Sequence, residues 1–356
     1  MVGLNMLKLL SDARMYPDHW HTGEDVPFYH YPVEREFRLA EEEEFHEIPL
    51  KPEVWREWIG EERRREEVKK VIFVDGVRKI HKRLQGFDGV VGGIAEIVIG
   101  HIVWSEGGVK TCESPLIRRF IVLPENRTKE ILERETYFPT LEAFPFEIRE
   151  LSREGEDRVS ATVNNLLLSE EGAYLRNLVS SRDGFIVKDG TIHPGSPLFG
   201  GKDYGPVGLV KRVIREHLPT SFMSLVRGLR KGQRTPFYAV YLRDPEDILR
   251  IMCYLRLVEL ESGENPLKGI VRLETLILKR DFENDDRREF LKQEILEAFD
   301  FLASFISKMT IRGCDLPRSP ENLPIVASLE SWLSSFFLPS DYLSSLLERR
   351  DLVEDR

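Results

Sequence analysis

The chain has 356 residues, of which 41% are hydrophobic and 31% charged, a composition that excludes a disordered protein and allows a sizeable core. No run of about eighteen uncharged apolar residues occurs, and the first residues lack the apolar core of a signal peptide, so we expect a cytoplasmic protein without a transmembrane helix. The net charge of −10 disfavours binding of nucleic acid through overall charge, and three scattered cysteines without CxxC spacing indicate neither a zinc site nor a disulfide framework.

Three segments are predicted along the chain. Residues 1–70 form an N-terminal extension that is irregular and then ends in a charged helix, since the sequence GEERRREEVKK at residues 60–70 alternates acidic and basic blocks. Residues 71–340 form the main domain, and residues 341–356 form a charged C-terminal tail.

The main domain begins with three predicted strands. The apolar run Val71–Val74 is typical of a strand buried on both faces, and it is followed by strands at residues 89–104 and 116–123. Three successive strands indicate an antiparallel meander.

Helical periodicity then appears at residues 157–179, where apolar residues fall on one broad stripe. Further strands are predicted at residues 184–187, 237–242 and 269–278, and further helices at 245–259, 287–308 and 325–337. This order of strands and helices predicts a mixed α/β sheet.

Two short sequences, FVDG at residues 73–76 and IVKDG at residues 186–190, place an aspartate at the end of an apolar strand. Taken singly, Asp-Gly after an apolar run is the usual signal of a hairpin turn. If both strand ends lie side by side in one sheet, however, Asp75 and Asp189 repel each other, and a divalent cation relieves that repulsion. Mg²⁺ and Mn²⁺ prefer such oxygen ligands.

A third carboxylate is available on the helix before the second aspartate. Glu170 and Glu171 both have apolar residues one turn before and one turn after them. Because an unpaired buried charge is costly, a glutamate in this position indicates a function, unless it lies at the edge of the stripe and reaches water. Periodicity does not separate Glu170 from Glu171.

Basic residues are unevenly distributed, and three of them stand out as candidates for phosphate contact. Arg78 follows the first aspartate, whereas Lys211 and Arg234 belong to two later basic clusters. Such patches beside a carboxylate site suit a phosphate backbone, and a solvated surface is the alternative for each. A phosphate-binding NTPase is disfavoured because no GxxxxGK[ST] motif is present.

From about residue 70 onward the sequence resembles the NurA nuclease family, bacterial branch. The resemblance is carried by FVDG, by the helix with Glu170 or Glu171, by KDGTI at 188–192, and by five later segments in the family's order. These are GLVKRVIREHLP (208–219), LVRGLRKGQRTPFYAV (225–240), CYLRLVEL with GIVRLE (253–260 and 269–274), and RSPENLPIVASLESWL (318–333).

The resemblance implies an RNase H-like mixed sheet flanked by helices and a homodimeric DNA nuclease that requires Mn²⁺ or Mg²⁺. It also implies a partner, the hexameric HerA ATPase translocase, with which such nucleases resect DNA ends for repair. Asp75, Glu170 or Glu171, and Asp189 would hold the metal and carry catalysis, and Lys211, Arg234 and Arg78 would contact DNA.

Two departures from the family pattern stand in the sequence. Val77 replaces a small polar residue after the first motif, and the segment VASLES has no histidine where many relatives place a site residue. Glu330 is the nearest candidate there: it either ligates metal through an oxygen or is an ordinary helix residue. These departures keep open an alternative function, a non-catalytic RNase H-like adaptor for a DNA motor.

Overall fold

The computed structural model describes residues 15–17, 38–39, 70–86, 91–128, 146–152, 157–178, 184–200, 205–211, 220–241, 247–311 and 320–343. Within these ranges the strands are β1 (Met15–Pro17), β2 (Arg38–Leu39), β3 (Lys70–Gly86), β4 (Val91–Ser105), β5 (Gly108–Thr111), β6 (Leu116–Leu123), β7 (Glu147–Glu150), β8 (Gly184–Asp189), β9 (Val207–Val210), β10 (Tyr238–Tyr241), β11 (Ile248–Arg256) and β12 (Ile270–Leu278). The helices are α1 (Arg158–Leu178), α2 (Thr220–Gly228), α3 (Lys279–Glu283), α4 (Asp285–Met309) and α5 (Pro324–Ser334).

All twelve described strands belong to one mixed sheet. Its order is β2-β10-β11-β12-β9-β8-β3-β4-β6-β7, with β1 also on β3 and β5 also on β4. The predicted meander is confirmed, because β3, β4 and β6 pair antiparallel in sequence. On the other side of β3, β8 and β9 run parallel to it. The predicted fold class, a mixed α/β sheet flanked by helices, is therefore confirmed.

Helices cover both faces of the sheet. Since neighbouring residues of a strand point to opposite faces, Phe73 and Val187 pack with Phe299 of α4, whereas Val74 and Ile186 pack with α1. Helix α5 lies on the α4 side, where Leu329 and Leu333 pack against Val98 of β4 and Val77 of β3. Burial of these apolar faces contributes about 25 cal/mol for each square ångström removed from water.

Several predicted elements are confirmed closely. Strand β6 occupies the predicted residues 116–123, and α1, α4 and β12 differ from their predicted bounds by one or two residues. Helix α5 ends at Ser334, three residues before the predicted end. None of the five helices combines the length and the hydropathy needed to span a lipid bilayer, judged on the described residues.

The helix predicted at residues 245–259 is wrong, because Ile248–Arg256 forms strand β11. All nine residues of β11 are buried, since the strand lies between β10 and β12 in the middle of one half of the sheet. A short run of mostly apolar residues shows no alternation between apolar and polar positions. Periodicity therefore does not distinguish a strand that is buried on both faces from a buried helix.

The hairpin-turn interpretation of Asp75-Gly76 is also wrong. Strand β3 does not end at Asp75; it continues for 17 residues to Gly86, and Asp75 and Gly76 remain paired with Gly100 and Ile99 of β4. The first aspartate therefore lies within a long strand. Strands β1, β2, β5, β7 and β9 and helices α2 and α3 were not predicted.

The N-terminal prediction falls mostly outside the described residues. The charged helix expected at residues 60–70 lies outside them, except for Lys70, which begins β3. Strands β1 and β2 pair with β3 and β10, so two short pieces of residues 1–70 extend the sheet. The predicted domain bounds remain predictions.

Candidate metal centre

The two aspartates singled out in the sequence lie next to each other on parallel strands. Strands β3 and β8 pair in register up to Val74 and Lys188, so the residues that follow, Asp75 and Asp189, are neighbours across the two strands. Strand β8 ends at Asp189, and Gly190 adopts a φ of 89°, a left-handed conformation that favours glycine at this change of direction.

A third carboxylate reaches these two from α5. Asp75, Asp189 and Glu330 each offer an oxygen, and the three oxygens lie within 4.8 Å of one another. Val77, two residues after Asp75 and on the same face of β3, packs with Leu329 and Leu333 of α5. The apolar residue that departs from the family pattern thus helps to hold the helix that carries Glu330.

Two buried oxygens of this cluster have no hydrogen-bond partner among the described residues. Asp75 is 6% exposed, and its Oδ1 accepts a hydrogen bond of 2.8 Å from the Gly76 backbone N–H, whereas its Oδ2 has no partner. Asp189 Oδ1 is likewise buried and without a partner. Buried carboxylate oxygens are costly without a donor or a cation, so the arrangement suits a hard divalent ion with oxygen ligands.

The electrostatics of Asp75 reflect the same crowding. Burial raises the pKa of Asp75 well above its ordinary value, and the charge of Asp189 raises it further, while Lys211 acts in the opposite direction. Glu330 and Glu171 add smaller repulsions. A cation bound among these groups would reverse this effect, because it favours the ionised carboxylate.

Two lysines lie beside the carboxylates. Lys211, just after β9, donates from Nζ to Asp189 Oδ2 at 2.8 Å and to Asn322 Oδ1 at 2.6 Å. Lys188 Nζ lies 2.8 Å from Glu171 Oε2 and also donates to the backbone carbonyl of Asp189 at 2.8 Å. The two ammonium groups therefore approach Asp189 at its side chain and at its backbone.

The structure distinguishes the two candidate glutamates of α1. Glu171 is 2% exposed and pairs with Lys188; burial raises its pKa, Lys188 lowers it and Asp189 raises it. A Cβ placed on Gly76 would lie 2.8 Å from Glu171 Oε1, so Glu171 faces the side of β3 opposite to the Asp75 side chain. Glu170 instead pairs with Arg118 at 3.4 Å. Neither belongs to the group of three oxygens, and as metal ligands both remain predictions.

The three basic candidates have different positions. Lys211 is part of the centre, and Arg78 lies half-buried on β3, three residues after Asp75. Arg234 is 1% exposed, and its guanidinium pairs with Asp300 of α4 at 2.6 Å and donates to the Thr235 carbonyl. These donors are engaged in the interior, and a contact of Arg234 with DNA phosphate stays a prediction.

Lys188 and Asn322 were missed in the sequence. Lys188 is part of IVKDG, and strand alternation would have placed it on the same face as Ile186, toward α1. Asn322 lies in the SPENLP segment before α5, and no local pattern connects it with Lys211.

Comparison with known proteins finds a similarity in structure. No family model matches the chain, and no curated protein matches it. Among solved structures, the crystal structure of the NurA nuclease from Sulfolobus solfataricus is similar over 81% of this chain and 92% of that chain, with a TM-score of 0.39 and 14% sequence identity. At this level the similarity assigns neither an activity nor a partner.

Proposed function

We propose that the protein is a divalent-metal-dependent deoxyribonuclease of the NurA type. The observation that carries the proposal is the pair of buried oxygens, Asp75 Oδ2 and Asp189 Oδ1, that have no hydrogen-bond partner among the described residues and lie in one cluster with Glu330. A fold that buries such oxygens side by side gains from a cation there. Carboxylates with a divalent ion are the usual machinery for phosphodiester hydrolysis.

Each residue of the centre has a separate role in this proposal. Asp75, Asp189 and Glu330 would hold the ion, which when bound lowers the pKa of a water molecule and offsets charge on the phosphate oxygens. Lys211 keeps Asp189 in place and adds positive charge beside the reacting phosphate. The buried pair of Glu171 and Lys188 holds the backbone at the end of β8 through the Asp189 carbonyl.

DNA as substrate, Mn²⁺ or Mg²⁺ as cofactor, and a HerA-type hexameric translocase as partner belong to the same proposal. They are supported by the order of motifs in the sequence. The net charge of −10 also supports a partner, because a negatively charged protein attracts DNA poorly by itself and a translocase would bring the DNA to it. A homodimer and a role in DNA end resection and repair follow the same resemblance.

The test is digestion of end-labelled linear DNA, single- and double-stranded, with Mn²⁺, Mg²⁺ or EDTA. Wild type, Asp75→Ala and Asp189→Ala would be compared with Asp286→Ala, which removes an exposed aspartate on α4. We expect metal-dependent cleavage by wild type and by Asp286→Ala, and a loss of at least a hundredfold in the other two variants, because each removes a metal ligand.

Cleavage in EDTA, or cleavage at the wild-type rate by Asp189→Ala, would contradict the proposal. If wild type is inactive alone, the assay is repeated with the cognate translocase and ATP. Inactivity there as well would favour the adaptor function. Light scattering of the purified chain measures whether it is a dimer, and co-elution with the translocase measures the partnership.

A further inference from the structure

Beyond the proposed function, on which this inference rests, we propose that the centre takes a single divalent ion and that Lys211 supplies the positive charge that a second ion would supply elsewhere. Two-metal hydrolases use a carboxylate that offers both oxygens to ions about 4 Å apart. In this chain the ammonium group of Lys211 already donates a hydrogen bond to one oxygen of Asp189, the carboxylate that would bridge two ions.

The two oxygens of Asp189 have different partners. Oδ2 accepts a hydrogen bond from Lys211 Nζ at 2.8 Å, whereas Oδ1 has no partner among the described residues. Asp189 forms one group with Asp75 and Glu330, whose carboxylate oxygens lie within 4.8 Å of one another, and Asp75 likewise keeps one oxygen, Oδ2, without a partner among the described residues. A second ion would have to displace Lys211 from Asp189.

Lys211 is not free to leave. Its Nζ is fixed a second time by Asn322 Oδ1 at 2.6 Å, its side chain is 4% exposed, and Asn322 is 3% exposed. The two anchors come from distant parts of the chain, β8 and the segment before α5. A lysine ammonium carries three N–H donors, and these two contacts leave one for an oxygen of the phosphodiester.

Glu171, the further buried carboxylate near the centre, is also engaged. Glu171 pairs with Lys188 at 2.8 Å, and both side chains are 3% exposed. Among the described residues, Asp75, Asp189 and Glu330 form the single group of potential ligands whose atoms lie within 4.8 Å of one another. Lys211 thus binds the second oxygen of Asp189, and Lys188 binds Glu171, which lies outside the group of three.

The charges agree with one ion. Counted over these four side chains alone, the three carboxylates and the Lys211 ammonium carry a formal charge of −2, and the Glu171–Lys188 pair adds none. One divalent ion neutralises this charge. A second would leave an excess of +2 in a buried region, which is unfavourable.

The experiment counts bound Mn²⁺ in the full chain by isothermal titration and by electron paramagnetic resonance, without DNA. For wild type we expect one ion and the spectrum of isolated Mn²⁺. For Lys211→Met, which keeps an unbranched side chain but removes the ammonium group and its charge, we expect the first ion to bind roughly tenfold more tightly. We also expect a second, weaker ion with the spectral splitting of a coupled pair, and cleavage activity whose dependence on Mn²⁺ becomes sigmoidal. Lys211→Arg, which keeps the charge, is the matched control and should bind one ion.

Two ions of similar affinity in wild type would overturn the inference while leaving the proposed nuclease function intact. A single ion in folded Lys211→Met would show that Lys211 does not exclude the second. No bound Mn²⁺ in wild type, with no difference in Asp75→Asn, would instead remove the metal centre and with it the proposed function. The wild-type count is decisive even if Lys211→Met fails to fold.

Discussion

Two clusters of buried carboxylates lie in the same sheet, and they differ in how their oxygens are satisfied. Glu274 of β12 is fully buried; its Oε1 accepts from Arg250 and from the Ile192 backbone N–H, and its Oε2 accepts from Arg272. In the other cluster, Asp75 and Asp189 each keep a buried oxygen without a hydrogen-bond partner among the described residues.

The difference shows that burial alone does not mark a functional carboxylate. A buried carboxylate surrounded by arginines and a backbone N–H is a structural element, because its desolvation is offset within the protein. One that keeps an unused oxygen beside other carboxylates is poised for a cation from outside. The two clusters should therefore respond oppositely when a carboxylate is removed.

The largest expected effect is the loss of Glu274. Glu274→Ala removes the carboxylate that pairs with both Arg250 and Arg272 inside the sheet, so we expect the free energy of unfolding to fall by about 3–5 kcal/mol. The measurement is urea denaturation in EDTA. Glu170→Ala is the matched control: its partner Arg118 is 43% exposed, so solvent screening should keep the loss below about 1 kcal/mol. Equal losses in both variants would remove the distinction between the clusters.

A second effect concerns metal and stability. Because an ion bound to the folded state adds to stability, Mn²⁺ at a hundred times its dissociation constant should raise the free energy of unfolding of wild type by about 2.7 kcal/mol. Asp75→Asn should show almost none of this gain, whereas Asp286→Ala should keep it. Thermal unfolding with and without Mn²⁺ provides the measurement. A gain that survives in Asp75→Asn would place the stabilising ion at another site.

The sequence identified the aspartates of the metal centre more readily than the contacts that bring the centre together. Asp75 and Asp189 follow apolar runs that are recognisable as buried strands, so the position of each aspartate on a buried strand is a local property. That β3 and β8 are neighbours is not local, because about a hundred residues and α1 separate them. Glu330 was a candidate only through the resemblance, since its role depends on how α5 packs on Val77.

The differences between prediction and structure have the same origin. Arg234, in a run of basic residues, looks like part of a surface patch, but a bridge to Leu255 and the ion pair with Asp300 bury it. Strand β11 lies between two strands, and helices cover both of its faces, so all of its side chains are buried. Its sequence therefore shows no alternation of apolar and polar residues that would identify a strand. Tertiary contacts, rather than local preference, decide these positions.

The third prediction concerns repulsion in the metal-free protein. In EDTA, Asp75→Asn should raise the free energy of unfolding by roughly 1–2 kcal/mol at neutral pH, because it removes a charge that burial and Asp189 disfavour. The folded-state pKa of Asp75 lies above its unfolded value, so the wild-type penalty is absent in acid and grows as pH rises above about 4. The advantage of the variant over wild type should grow in the same direction, as chemical denaturation between pH 4 and 8 would measure. A pH-independent difference would contradict this origin.

The smallest expected effect has the opposite dependence on pH. Asp157, at the start of α1, accepts from Ser160 and from both terminal nitrogens of Arg83; although its burial acts to raise the pKa, these contacts hold the pKa well below its ordinary value. Its stabilisation is therefore present above the unfolded pKa of about 3.9 and is lost as pH falls through that value toward the lower folded one. Asp157→Ala should cost about 1 kcal/mol at pH 7 and progressively less below pH 4. The sign of the pH dependence is the most direct test in solution of the contrast between Asp157, whose oxygens are hydrogen-bonded, and Asp75, which keeps an oxygen without a partner among the described residues. A loss for Asp157→Ala that grew toward low pH would remove that contrast.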